Sequence, residues 1–211
     1  GFGVNVIAAY TAASRVESFL SMPAMNFAAA LSAFVGQNLT SNHILRIKRG
    51  FRSTLIMSGV VCIIFTIFVI TFGDPIMRLF IDPAEKDIDT VVSIWHGYLM
   101  IVCSFYLLFS TMFVINGLLR GAGATIIPMF TTILSLWLVR LPIAYFLSKH
   151  IGEKGIWWSI PIGWAIGLLG AWIYYLTGNW KTKAVVKAPP EILKDVELQD
   201  PNCSRDYSGR V

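Results

Sequence analysis

A chain of 211 residues that is 55% hydrophobic and only 14% charged departs from ordinary soluble domains, in which about a quarter of residues are charged. A formal charge of +5 and a pI near 9.2 would suggest nucleic acid in a soluble protein; here the basic residues lie between apolar runs and in the tail, which points to membrane topology and to no nucleic-acid partner. Three scattered cysteines, Cys62, Cys103 and Cys203, provide neither a disulfide framework nor a metal knuckle.

The sequence opens on Gly1 without a cationic n-region, so no signal peptide is expected, and it reads as a protein entered partway through. Five segments are long and apolar enough to cross a membrane, since ~20 helical residues span a ~30 Å hydrocarbon core. The first covers about residues 5–35, is rich in Ala and Ser, and carries Pro23 mid-span. The second is 53–73 and the third 91–118. The fourth, about 122–147, contains Pro128 and Pro142; the fifth, about 156–177, has Pro161 near its start. The first and third exceed the required length and should tilt, bend or project. Trp157 and Trp158 at one end of the fifth span, with Tyr174, Tyr175 and Trp180 at the other, predict an aromatic belt at both interfaces. Residues 181–211 mix Pro, charge and few apolar positions and are expected to form a disordered tail behind a transmembrane unit of residues 1–180.

Loop charge orients the spans. His43, Arg46, Lys48, Arg49 and Arg52 follow the first span without an acid, whereas Asp74, Asp82, Glu85, Asp87 and Asp89 dominate the loop after the second. The basic side is expected inside. Arg120 and the tail lysines Lys181, Lys183 and Lys187 then also face the cytoplasm, while Lys149 and Lys154 in the outer loop SKHIGEKG run against the pattern.

Ionisable residues inside spans are costly and mark functional positions by default. Arg15 and Glu17 sit in ASRVESF; two residues apart, they lie on different helix faces and cannot pair with each other. At least one faces a partner helix or water, unless both snorkel to the outer interface. Arg140 precedes Pro142, whose missing N–H frees the Leu138 carbonyl; Arg140 is either a structural staple to that carbonyl or a substrate or coupling group. Pro23, near Asn26, introduces a bend of the kind that lets half-helices move. Small residues along span one, and Gly163, Gly167 and Gly170 in span five, offer close-packing stripes. Gly121 and Gly123 are expected to stop a helix after Arg120 and let the chain turn. No HExxH, CxxC, GxSxG or phosphate loop is present, and the three histidines are far apart, so neither an enzyme nor a metal or organic cofactor is expected.

Three stretches together resemble the multidrug and toxic compound extrusion family of antiporters: IAAYTAASRVESFLSMPAMNFAAALSAFVGQNL at 7–39, NGLLRGAGATIIPM at 116–129, and LVRLPIAYFL at 138–147 followed by GEKGIWWSIPIGW. The resemblance covers about residues 1–180. It implies an all-α membrane protein: helices eight to twelve of a twelve-helix transporter, hence five helices of a six-helix lobe, with the partner N-terminal lobe outside this sequence. It further implies Na+ or H+ as coupling ion, alternating access, and export of small hydrophobic or cationic compounds through a bacterial inner membrane, with the tail cytoplasmic. The positions that match its motifs are Gly36 and Gln37, Asn116, Arg120 and Gly121, and Arg140 and Pro142. In one branch of the family an aspartate stands twelve residues before the glycine that follows the turn arginine; here that residue is Phe109. Coupling would therefore use a carboxylate of the partner lobe or Glu17. Arg15, Glu17, Asn26 and Arg140 are the candidates for the substrate cavity or for coupling. Alternative readings are a lipid-linked oligosaccharide flippase of the same superfamily and a non-transporting membrane scaffold.

Overall fold

The computed structural model describes residues 4–80 and 88–182, all in helices and short turns. Helix α1 runs Val4–Thr40 and α2 Ile44–Phe80. Helices α3 (Ile88–Ser104) and α4 (Tyr106–Gly121) meet at a 47° bend. Helix α5 (Ile126–Ile133) passes through a π turn, Leu134–Val139, into α6 (Arg140–Ile151). Helix α7 (Glu153–Thr177) ends in a 3-10 turn at Asn179–Thr182. The predicted tail beyond Thr182 and the acidic positions Asp82, Glu85 and Asp87 lie outside the described residues.

These elements give up to five membrane-length units, counting the bent pair α3–α4 as one, in the order and places the hydropathy predicts. Their outer faces are apolar. Ile56, Ile63, Ile67 and Phe72 of α2 are exposed, as are Phe130, Trp137, Leu138 and Phe146 along α5–α6. Such a continuous apolar surface suits lipid and not water.

The long first span stays one helix through Pro23, whereas the long third span bends. No Pro or Gly stands at its break. Phe105 donates its N–H to the Val102 carbonyl at 3.2 Å, and the Ser104 hydroxyl bonds back to the Met100 carbonyl at 2.6 Å. That back-bonding competes with the helical ladder and favours a bend.

Two predicted features need correction. The loop between spans four and five is not eight residues long: α6 runs to Ile151, α7 starts at Glu153, and Gly152 turns the chain alone with φ +67°. The hairpin can be that tight because Gly155 has no side chain; a Cβ there would lie 2.6 Å from the Ser148 nitrogen. The aromatic belt is also only partly a belt. Trp158 is exposed, but Trp157 and Trp180 are buried in the protein. Trp157 meets Tyr98 edge-on, and Trp180 stacks on Tyr175 and donates to its carbonyl at 3.1 Å. Large aromatics at a span end serve a helix contact as readily as a lipid headgroup.

The core has two zones. One gathers Trp95, Tyr98, Tyr106, Trp157 and Trp164 against Ala9 and Ala13 of α1. The other gathers Val35, Ile47, Ile115, Leu118 and Trp180 at the opposite end. Between them α1 and α4 touch backbone to backbone. A Cβ on Gly117 would stand 2.9 Å from Ala28 Cα, and one on Gly121 2.9 Å from Ser32 Cα. The stretch GLLRG is thus a small-xxx-small contact. Gly121 closes α4 but mainly permits this approach; Gly123, at φ +82°, makes the turn.

Candidate functional site

Helices α1, α4, α5, α6 and α7 line a half-open cavity of about 570 Å³. Glu17 enters from α1, Arg140 from the start of α6, and Asn116 and Arg120 from α4. Phe109, Phe113 and Trp164 supply an aromatic wall, with Phe109 5.0 Å from Trp164 and 4.4 Å from Phe113 between ring centroids. Most of the remaining lining is apolar, including Met112, Met129 and Leu136. A largely apolar pocket with a few convergent polar groups is the usual form of a small-molecule site.

Glu17 is half-buried and accepts a hydrogen bond from the Tyr98 hydroxyl at 2.6 Å. Tyr98 is itself buried and held edge-on by Tyr10 at 5.7 Å and Trp157 at 6.0 Å. A charge-assisted bond from a rigid phenol fixes the carboxylate at the cavity margin.

Arg140 lies about 21 Å along the helical run from Ile126 and about 17 Å from Ile151, hence near mid-membrane, at roughly 1.5 Å per residue. The π turn places it there. The Arg140 N–H reaches the Ser135 carbonyl in an i→i−5 bond, just where Pro142 withdraws the donor for Leu138. The buried Ser135 hydroxyl pins the turn to α7 by donating to the Gly163 carbonyl at 2.6 Å. The predicted glycine stripe of α7 receives this turn: a Cβ on Gly163 would be 3.2 Å from Ser135 O, and one on Gly170 3.2 Å from Thr131 Cγ2. No hydrogen bond or ion pair engages the Arg140 head among the described residues, so neither a staple to Leu138 nor a pair with Glu17 is formed.

The sequence candidates therefore separate. Glu17, Asn116, Arg120 and Arg140 share the cavity. Arg15 and Asn26 are exposed on another face of α1, together with Ser18, Met22 and Ala29. Pro23 is half-buried in the unbroken α1, Gly36 approaches the Gly121 carbonyl, Gln37 is exposed, and Pro142 is exposed on α6. Asn116 is buried with its Oδ1 unpartnered. Sequence reasoning missed Tyr98, Phe113, Trp164 and Ser135, which lie within apolar runs and carry no local signal of their contacts. Arg120 also borders a second space of about 410 Å³ lined by Met25, Ala29, Ser32 and Phe113.

A sequence model of the MatE family matches residues 1–146. The chain belongs to the MatE family. Among curated relatives it is 29% identical over 188 residues to the probable multidrug resistance protein YoeA of Bacillus subtilis, covering 88% of this chain and 39% of that protein. It is 30% identical to the probable multidrug resistance protein YpnP of the same organism, over 85% of this chain and 39% of the relative. The probable multidrug resistance protein NorM of Thermotoga maritima is likewise 30% identical, over 87% of this chain and 39% of its own length. This MatE chain thus spans about two-fifths of the length of those relatives. Its fold resembles the crystal structure of the eukaryotic MATE transporter AtDTX14, with a TM-score of 0.74 at 17% identity, over 91% of this chain and 41% of that one. The family resemblance and the all-helical membrane fold expected from the sequence are both borne out.

Proposed function

We propose that this MatE chain forms one lobe of a multidrug efflux transporter that exchanges Na+ or H+ for hydrophobic or cationic compounds by alternating access. The observation that carries the proposal is Glu17: an intramembrane carboxylate held by Tyr98 at the edge of an aromatic cavity. Ionisable groups at such positions are the usual markers of ion pathways. The relatives' designation as multidrug resistance proteins supports the same reading.

The chemistry follows from the bond. An ionised Glu17 attracts a cationic ligand and holds the Tyr98 hydroxyl in a charge-assisted bond. A proton or a sodium ion on the carboxylate neutralises that charge, weakens its hold on the ligand and loosens the α1–α3 contact. Binding of ion and drug then compete through one group, and the energy available for the shift is the difference in affinity between the two states.

In this proposal residues 1–180 are the membrane lobe of a bacterial inner-membrane protein, and 181–211 a cytoplasmic tail. The exposed α1 stripe of Arg15, Ser18, Met22, Asn26 and Ala29 faces the partner six-helix lobe, with Pro23 as its flexible point and Gly36, Gln37 and Gly121 shaping the cytoplasmic end. A lipid-linked oligosaccharide would need a larger, more cationic space than one lined by Arg120 and Arg140 amid apolar side chains.

The test is dye accumulation in everted vesicles carrying the complete transporter. Expected is accumulation driven by an imposed Na+ or H+ gradient and abolished by the matching ionophore. Accumulation indifferent to both gradients would overturn the proposal.

A further inference from the structure

One face of α2 changes chemistry along its length. At about 100° per residue, Arg46, Arg49 and Arg52 fall in one row, and Ile56, Val60, Ile63 and Ile67 continue that row along the helix. All of them are exposed. The opposite face holds Ile47, Phe51, Ser58 and Cys62, buried against the bundle. The isoleucine stretch belongs to the apolar surface that suits lipid, so the arginines stand where the same face leaves the hydrocarbon. The row from Arg46 to Arg52 rises about 9 Å, close to the depth of one polar headgroup layer, roughly 5–8 Å.

Nothing within the protein uses these charges. No hydrogen bond or ion pair engages Arg46, Arg49 or Arg52 among the described residues, and the sequence holds no acid from Ser18 to Gly73. Like charges at this helical spacing repel one another, so the row favours an anionic partner. The planar fork of a guanidinium matches a phosphate through paired N–H donors. A free phosphate or an acidic peptide would answer the arginines and leave the isoleucines uncovered; an anionic phospholipid answers both.

We infer that this face of α2 is a binding site for an anionic phospholipid, its phosphodiester on Arg46, Arg49 and Arg52 and an acyl chain along Ile56, Val60 and Ile63. None of these residues lines the cavity that holds Glu17, so the assignment stands independently of the transport proposal.

Native mass spectrometry tests it, on the complete transporter in detergent with equal amounts of phosphatidylglycerol and phosphatidylcholine of matched acyl chains. Expected is preferential retention of phosphatidylglycerol. Arg46→Gln, Arg49→Gln and Arg52→Gln should each lower the retention ratio by about fivefold, the weight of one basic residue at an anionic surface. The three positions are exposed, so these single changes leave the core intact. Lys154→Gln, which removes an exposed cation at the far end of α7, should leave the ratio unchanged. Equal retention of the two lipids by the unmodified protein overturns the inference, as does a preference that all three Gln variants keep or that Lys154→Gln lowers as much. Displacement of the lipid by an equal concentration of glycerol 3-phosphate would also overturn it, marking a site for free phosphate and not for a lipid.

Discussion

Tyr98 donates its hydroxyl to Glu17 across 2.6 Å, tying α3 to α1 at the edge of the cavity. Tyr98→Phe keeps the ring between Tyr10 and Trp157 and removes only the donor. The half-buried carboxylate then loses its one hydrogen-bond partner among the described residues, a cost of about 1–3 kcal/mol. Thermal unfolding in detergent should fall measurably, and gradient-driven efflux should fall with it while ring packing persists. An unchanged melting temperature would show that the bond carries little of the α1–α3 contact.

The α1–α4 contact makes a graded set of expectations. Gly117→Ala and Gly121→Ala each force a methyl into the backbone of α1 and should destabilise by about 1–3 kcal/mol. Gly36→Ala should be near neutral, because its Cβ would sit 3.5 Å from the Gly121 carbonyl, an ordinary contact. Gly123→Ala should cost about 1 kcal/mol for a different reason, the left-handed backbone at φ +82°. Melting temperatures of the four variants give the order directly; equal losses would contradict it.

The positions of the spans were legible because hydropathy reports on lipid, and every long apolar run lies in a membrane-length unit. Glu17 was legible as a costly charge, but its partner was not, since Tyr98 lies 81 residues away and looks like any other apolar-run tyrosine. The 47° bend at Phe105 has no proline or glycine to announce it. The π turn before Arg140 was half-visible: Pro142 marks the freed carbonyl, yet nothing local fixes the i→i−5 register, which depends on Ser135 reaching α7. Gly121 was legible as a helix stop, but the small-xxx-small contact of Gly117 and Gly121 appears only in their packing against Ala28 and Ser32. Arg15 and Asn26 were grouped with Glu17 by chemistry, but helical phase puts them on another face.

Ser58 and Ser110 share a buried hydroxyl–hydroxyl bond between α2 and α4. Ser58→Ala alone removes the hydroxyl partner of Ser110, leaving it beside the Cys62 thiol, and should cost about 1 kcal/mol. Replacing both by Ala should cost less than the two single changes summed, because neither variant group is then left orphaned. A double-mutant cycle read by thermal unfolding checks this; strict additivity would contradict the bond.

Topology can be read by thiol labelling. With Cys203 replaced by Ser, the two cysteines of the helices, Cys62 and Cys103, are buried and should stay unlabelled. Arg49→Cys should react with an impermeant maleimide only in everted vesicles, and Lys154→Cys only in intact cells. The opposite pattern would invert the loop-charge assignment.

The most direct measurement compares Glu17→Gln with the unmodified transporter in proteoliposomes, reading dye binding and gradient-driven dye accumulation side by side. If Glu17 couples ion to drug, the variant still binds dye to some extent, but its binding no longer responds to Na+ or pH, and driven accumulation is lost. A variant that accumulates dye under the same gradient as well as the unmodified protein would place coupling elsewhere and contradict the role assigned to this carboxylate.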